Sequence, residues 1–250
     1  MAPSKKSTSM DMVYEKIIEK IISEQLPPGT PLREERLAEE FGVSSTPVRE
    51  AFRRLEYEGW VQSRPYQGSF TRKFSAQDID ELYQLREVLE GMAAASAARN
   101  ATEKELDNIR QALDLEKLYL TKAAENTCPE DVAPTFREDL DFHAAIAKAS
   151  HNQLLQQRLG MLKAQISCTF ILNRSFSDGT LEDQQRVFEE HTMICNAITR
   201  RWDDIAELLI RRHISDARKK YAAMIGDGML AAGGGRKCRK AQKAPEAKVP

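Results

Sequence analysis

Residues 34–60, EERLAEEFGVSSTPVREAFRRLEYEGW, decide the fold. Leu37, Ala38 and Phe41 recur at helical spacing, Gly42 supplies the backbone freedom to end that helix, and Val43 gives the turn an apolar anchor. A second helix follows at once. Ser44, Ser45 and Thr46 offer hydroxyls to its unpaired N-terminal N–H groups, and Pro47 falls in the first turn, where a missing N–H costs nothing. Val48, Ala51, Phe52 and Leu55 then form one inward face at i, i+3, i+4 and i+7. This order predicts a helix-turn-helix. Beyond it, Gly59 closes the helix, Trp60 to Arg64 and Ser69 to Lys73 predict two strands, and Pro65 to Gly68 the turn between them. That hairpin makes a wing.

The outward face of the second helix carries Ser45, Arg49 and Arg53 at successive i+4 steps. Hydroxyls and a helix N-terminus suit phosphates, and an arginine fork suits the O6 and N7 edge of guanine, so this face suits a DNA major groove. The competing reading is a solvated face on which Arg49 pairs with Glu50 or Glu56. Residues 1–74 hold 12 basic and 11 acidic residues, a net +1. So near-neutral a DNA-binding unit must collect Arg49, Arg53, Arg54, Arg64, Arg72 and Lys73 on one side, turn Glu34, Glu35, Glu39 and Glu40 away from phosphate, and double its charge by dimerisation.

Upstream, residues 1–10 form a polar arm, and a helix from Asp11 to about Glu24 buries Val13, Ile17, Ile18, Ile21 and Ile22 before Leu26, Pro27, Pro28 and Gly29 end it. Downstream of a short linker at about 72–76, the pattern is helical throughout. Six helices are expected at about 76–98, 102–123, 134–150, 152–173, 180–199 and 202–224, with Ser75/Asp78 and Thr102/Glu105 as capping boxes. The fold class is therefore mainly α: an N-terminal winged helix-turn-helix over 11–74 followed by an antiparallel six-helix bundle over 75–225. Residues 226–250 read as a disordered basic tail, with 6 basic and 2 acidic residues. The N-terminus has no apolar leader, no apolar run is long enough to span a bilayer, and Cys128, Cys168, Cys195 and Cys238 lack any CxxC spacing; a cytoplasmic protein with reduced thiols is expected.

Polar residues interrupt the apolar stripes of the bundle. Asp139 and His143 share a face with Phe136, Leu140, Ile146 and Ala147; His191 lies among Phe188, Ile194, Cys195 and Ile198; His213 lies among Ala206, Leu209, Ile210 and Ala217. Burying these groups unpaired costs several kcal/mol, and one divalent ion satisfies all four. Zinc is the first choice, with nickel, manganese or iron as alternatives. For any one histidine the competing reading is a satisfied core residue, and His151 is set aside as a surface or cap residue. Arg86 also falls on an inward face, between Leu82, Leu89 and Ala93 on one side and Ile79 and Tyr83 on the other. It either pairs with Glu90 one turn on or holds a ligand carboxylate.

Two stretches carry a family resemblance. GVSSTPVREAFRRLEYEGWVQSRPYQGSF resembles the winged helix of the GntR superfamily of transcription regulators, and LYQLREVLEGMAA, DLDFHAAIAKASHNQLL and EEHTMICNAITRRWDDIAELLIRRHI resemble its FadR-type ligand-sensing FCD domain, in the shorter VanR-like form. The resemblance implies DNA contacts from Ser44, Ser45, Thr46 and Arg49, a close backbone approach to DNA at Gly68, a metal on Asp139, His143, His191 and His213, and an effector-binding Arg86. Many relatives have arginine at the position of Ser45, so one of their contacts is absent here. It also implies a homodimeric repressor of a catabolic operon on double-stranded operator DNA, released by a small carboxylate of the sugar-acid or hydroxy-acid class. The rival readings are a regulator whose metal is structural or itself the signal, and a metallohydrolase with a DNA-binding appendage. The chain is expected not to be an enzyme and not to meet a membrane.

Overall fold

The structure, a computed structural model, describes residues 8–125, 133–172 and 180–226. The expectations for the remainder of the N-terminal arm and for the basic tail lie outside the described residues.

Helix α1 (Ser9–Ile22) begins two residues before its predicted start, because Thr8 and Asp11 close a capping box ahead of it. Val13, Ile17 and Ile21 are its buried face. Strand β1 (Pro31–Leu32) was not anticipated; a two-residue strand has no alternation to detect. Helix α2 (Glu34–Phe41) turns at Gly42 into helix α3 (Ser45–Glu58), which buries Val48, Ala51, Phe52 and Leu55 as its spacing requires. Strands β2 (Val61–Arg64) and β3 (Gly68–Thr71) form the wing, and β1 pairs with the far edge of β3, giving an antiparallel sheet in the order β1-β3-β2.

Helices α4 (Ala76–Asn100), α5 (Glu103–Glu125), α6 (Ala133–Ala149), α7 (Gln153–Leu172), α8 (Leu181–Thr199) and α9 (Asp203–Gly226) are the six expected ones, displaced by at most two residues at either end. α4 and α9 pack antiparallel. Asp80 near the start of α4 holds Arg218 at 2.6 Å, and Arg99 near its end holds Asp203 at 2.6 Å. The buried alanines 93, 94, 95, 97 and 98 let neighbouring helices approach α4 closely, and a Cβ on Gly91 would stand only 2.6 Å from Arg211 Nε.

The buried apolar side chains form one contiguous cluster, from α1 through α3 and α7 into the bundle. α7 touches both parts. Gly59, in the left-handed conformation (φ 88°) that caps α3, lies so close to α7 that a Cβ there would meet Gln165 Cγ at 3.0 Å, and Cys168 Sγ lies 3.6 Å from the Glu58 carbonyl. Burial, with Glu58 nearby, pushes the Cys168 thiol up, so it is a packed thiol and not a reactive one.

Candidate functional sites

The outward face of α3 is built much as its sequence suggests. Ser44 is the helix N-cap, yet its side chain makes no capping hydrogen bond, and it is exposed together with Thr46, Arg49 and Arg53, while Ser45 is half-buried. At the wing, Gly68 sits exposed at φ 92°, a conformation that a side chain would strain, beside a fully exposed Tyr66.

The electrostatics of this face differ from expectation in two respects. Arg49 pairs with neither Glu50 nor Glu56: its Nε and Nη2 donate to Glu34 Oε2 at 3.1 and 2.9 Å. Glu34 therefore does not turn away but sits on the guanidinium. Arg54 and Arg72 are not free for phosphate either. Arg54 bridges Asp11 and Glu58 and lies 3.9 Å from the Tyr14 ring centroid, while Arg72 bonds Asp78 and covers Phe74. Both serve to tie α1 to α3 and the wing to α4.

The second site is in the bundle. His143 of α6, His191 of α8 and His213 of α9 are all buried, and one ligating atom from each lies within 4.8 Å of the others. His191 Nε2 and His213 Nε2 are 3.2 Å apart. Two nitrogens bound at zinc distance in a tetrahedron stand roughly 3.3 Å from each other, so this spacing fits a shared ion. Two of the opposite nitrogens are committed to carboxylates, His191 Nδ1 to Glu116 at 2.8 Å and His213 Nδ1 to Glu190 at 2.7 Å, and His143 Nδ1 lies against Glu90. A carboxylate on Nδ1 fixes the tautomer that leaves the Nε2 lone pair free, which is how ligating histidines are oriented. Burial, with His213, His143 and Arg86 nearby, lowers the His191 pKa well below its ordinary range, keeping the ring neutral. Asp139 lies on α6 one turn before His143; its side chain falls outside the described residues.

His151 bonds Glu105 at the surface, at 2.8 Å, and takes no part in this cluster. Arg86 is 4% exposed, with its Nε on one oxygen of Glu90 while the other oxygen meets His143. Burial works to raise the Glu90 pKa, but Arg86 and His143 outweigh it and hold the carboxyl at about 2. Arg86, Glu90 and His143 also line the inner end of a cavity of about 270 Å³ whose other walls are α6 and α7. Arg86 thus pairs with Glu90 and faces a ligand-sized space at once.

Sequence reasoning missed Glu116 and Glu190. Glu116 is buried one turn before Leu120 and two turns after Ile109, so the same phase argument that singled out Arg86 would have found it. Glu190 is partly exposed and reaches His213 from the side, which no periodicity shows. If Glu116 orients His191, Glu116→Gln lowers metal affinity about 10- to 100-fold, measured by competition with a chelator, while the helical content is unchanged. Unaltered affinity would remove Glu116 from the site.

Residues 9–71 match the bacterial regulatory proteins of the gntR family, and residues 81–216 match the FCD domain. The "Probable D-xylose utilization operon transcriptional repressor" of Paenarthrobacter nicotinovorans is 30% identical over 210 residues, covering 84% of this chain and 87% of that protein. The transcriptional repressor RspR of Escherichia coli (strain K12) is 26% identical over 204 residues, covering 82% and 85%. Among solved structures, the GntR protein of Rhodococcus sp. RHA1 superposes with a TM-score of 0.65 at 23% identity, covering 86% of this chain and 97% of that one. E. coli McbR/YncC gives 0.61 at 22%, covering 89% and 99%. The chain belongs to the GntR family, in the form that carries an FCD domain. It is a DNA-binding transcription regulator and not an enzyme. Among the described residues, no helix is long and apolar enough to cross a membrane.

Proposed function

We propose that this regulator is a cytoplasmic homodimeric repressor whose operator binding is relieved by a small carboxylate, bound beside a divalent metal in the bundle. The observation that carries this reading is the convergence of three buried imidazoles, each beside a glutamate, next to a cavity that also presents Arg86. His143, His191 and His213 fit a metal by their spacing and tautomers, with Asp139 as the fourth ligand that the sequence pattern supplies. Zinc suits this nitrogen-rich set. Such an ion supplies a positive centre to which an oxygen anion can bind. Arg86 donates to the same anion, exchanging part of its bond to Glu90.

Dimerisation is supported by an uncovered apolar stripe. Leu85, Val88 and Met92 on α4, and Ile205 and Leu208 on its antiparallel neighbour α9, are 40 to 63% exposed. Two copies joined there present two α3 helices to the two halves of a pseudo-palindrome. On the DNA, Ser44 and Thr46 take phosphates, Arg49 and Arg53 lie along the groove, and Gly68 lets the wing backbone approach the adjacent groove. A repressor requires the effector to favour the DNA-incompetent arrangement, and DNA must then weaken effector binding by the same factor.

The test is fluorescence anisotropy of the metal-loaded protein on operator DNA selected from a genomic library, titrated with small carboxylic acids. An acid that binds the bundle weakens operator binding. An acid that binds with no change in operator affinity sinks the repressor reading, and a response to chelation alone favours a structural or sensed metal. In the same assay Arg49→Ala costs about 1 to 3 kcal/mol of operator binding. Glu34→Gln has the opposite sign, because DNA no longer competes with a carboxylate for Arg49; tighter Arg49→Ala binding, or weaker Glu34→Gln binding, would refute this account of the face.

A further inference from the structure

We infer that the cavity beside the histidine cluster selects a diacid, whose second acidic group is held at the mouth by Lys148 and Lys163. The inference rests on the reading of the bundle as an effector site and adds the class of the effector. The cavity is chemically two-ended. Its buried lining carries Arg86, Glu90 and His143, its apolar lining is Ala144, Ala147, Leu159, Leu162 and Ile166, and its solvent-accessible lining carries Lys148 from α6 and Gln156 and Lys163 from α7, which by exposure form the mouth. Leaving His143 aside, the charged side chains on this lining are three cations, Arg86, Lys148 and Lys163, against the single carboxylate Glu90, a net +2. A monoacid satisfies one end only and leaves Lys148, and Lys163 with its surface partner Asp141, without a ligand group to hold. A diacid matches both the charge and its placement.

The spacing is set by α6. His143 and Lys148 are five residues apart, which is about 7.5 Å of rise and about 140° around the helix axis, so the two side chains are well separated. Acidic groups at the two termini of one carbon chain are therefore needed to reach both ends. Lys163 bonds Asp141 at 2.6 Å, but both side chains are substantially exposed, so exchanging this partner for a ligand carboxylate costs little. Gln156 shares the mouth and adds a neutral donor and acceptor, which suits a hydroxyl on the chain of the ligand. Lys148 and Lys163 are thus residues that determine specificity, distinct from Arg86 and the histidines at the inner end.

The experiment is isothermal titration of the full-length, zinc-loaded protein with acid pairs that differ at one end only: D-glucarate against D-gluconate, and L-malate against 2-hydroxybutyrate. The unaltered protein is expected to bind the diacid of at least one pair about tenfold tighter or more than its monoacid partner, as one charge-assisted contact provides. In Lys148→Gln and in Lys163→Gln this ratio falls toward unity while monoacid affinity holds. Equal affinities within both pairs, or a ratio that survives in both variants, overturns the diacid inference and leaves the effector reading standing. If neither acid of either pair binds, both fall.

Discussion

His191→Ala protein is expected to lose at least about a hundredfold in metal affinity, and with it all response of operator binding to carboxylic acids. The residue has no exposure to solvent, stacks on Phe142 with ring centroids 4.5 Å apart, and lies 3.2 Å from the His213 nitrogen, so no neighbouring group or water can replace its lone pair at the same place. Loss of a group that merely orients a ligand already costs 10- to 100-fold, and loss of the ligand itself costs more. The measurement is metal content after dialysis against a chelator of graded strength. Binding of operator in the absence of effector should persist, because the histidine is remote from α3, and this separates loss of the metal from loss of the fold. Undiminished metal in the variant would dissolve the site.

The second large effect concerns Arg86. Removing one partner of a buried pair leaves the other charge without its main compensation, so Arg86→Ala is expected to cost about 3 to 5 kcal/mol, which is a fall of about 6 to 20 °C in melting midpoint for a chain of this size. The lower end is favoured because His143 still meets Glu90. Adding Glu90→Ala to Arg86→Ala should return part of the loss, since the buried carboxylate goes with its partner. A double variant less stable than Arg86→Ala by the full cost of a further core truncation would show that Glu90 is held by something other than the guanidinium. Effector binding should fail in the single variant even at temperatures where it is fully folded.

Much of this molecule was legible in the sequence because its two signals are periodic. The inward face of α3 and the six helices of the bundle follow from residues repeating at three and four, and the three histidines stand out because they break that repeat with polar groups. What periodicity cannot show is a partner brought in from another element. Glu34 reaching Arg49 across fifteen residues, Glu190 reaching His213, and the strand β1 closing on β3 depend on how helices and strands are set in space. Basic residues were likewise counted by composition, whereas the structure commits Arg54 and Arg72 to internal ion pairs over aromatic rings. Helical phase alone leaves Arg86 between two readings; in the structure it pairs with Glu90 and also lines the cavity.

The close seat of Gln165 and Cys168 against the corner of Glu58 and Gly59 has a practical bearing on protein engineering. A hybrid sensor made by grafting this FCD segment onto another DNA-binding unit cannot be joined freely at the linker near residue 75. The recipient should also present a glycine at the end of the helix corresponding to α3, because the backbone there is left-handed and a Cβ would crowd the Gln165 side chain at 3.0 Å on α7, the helix that walls the cavity. Interchangeability of parts in such hybrids is thus decided by a corner of two residues as much as by the length of the joint.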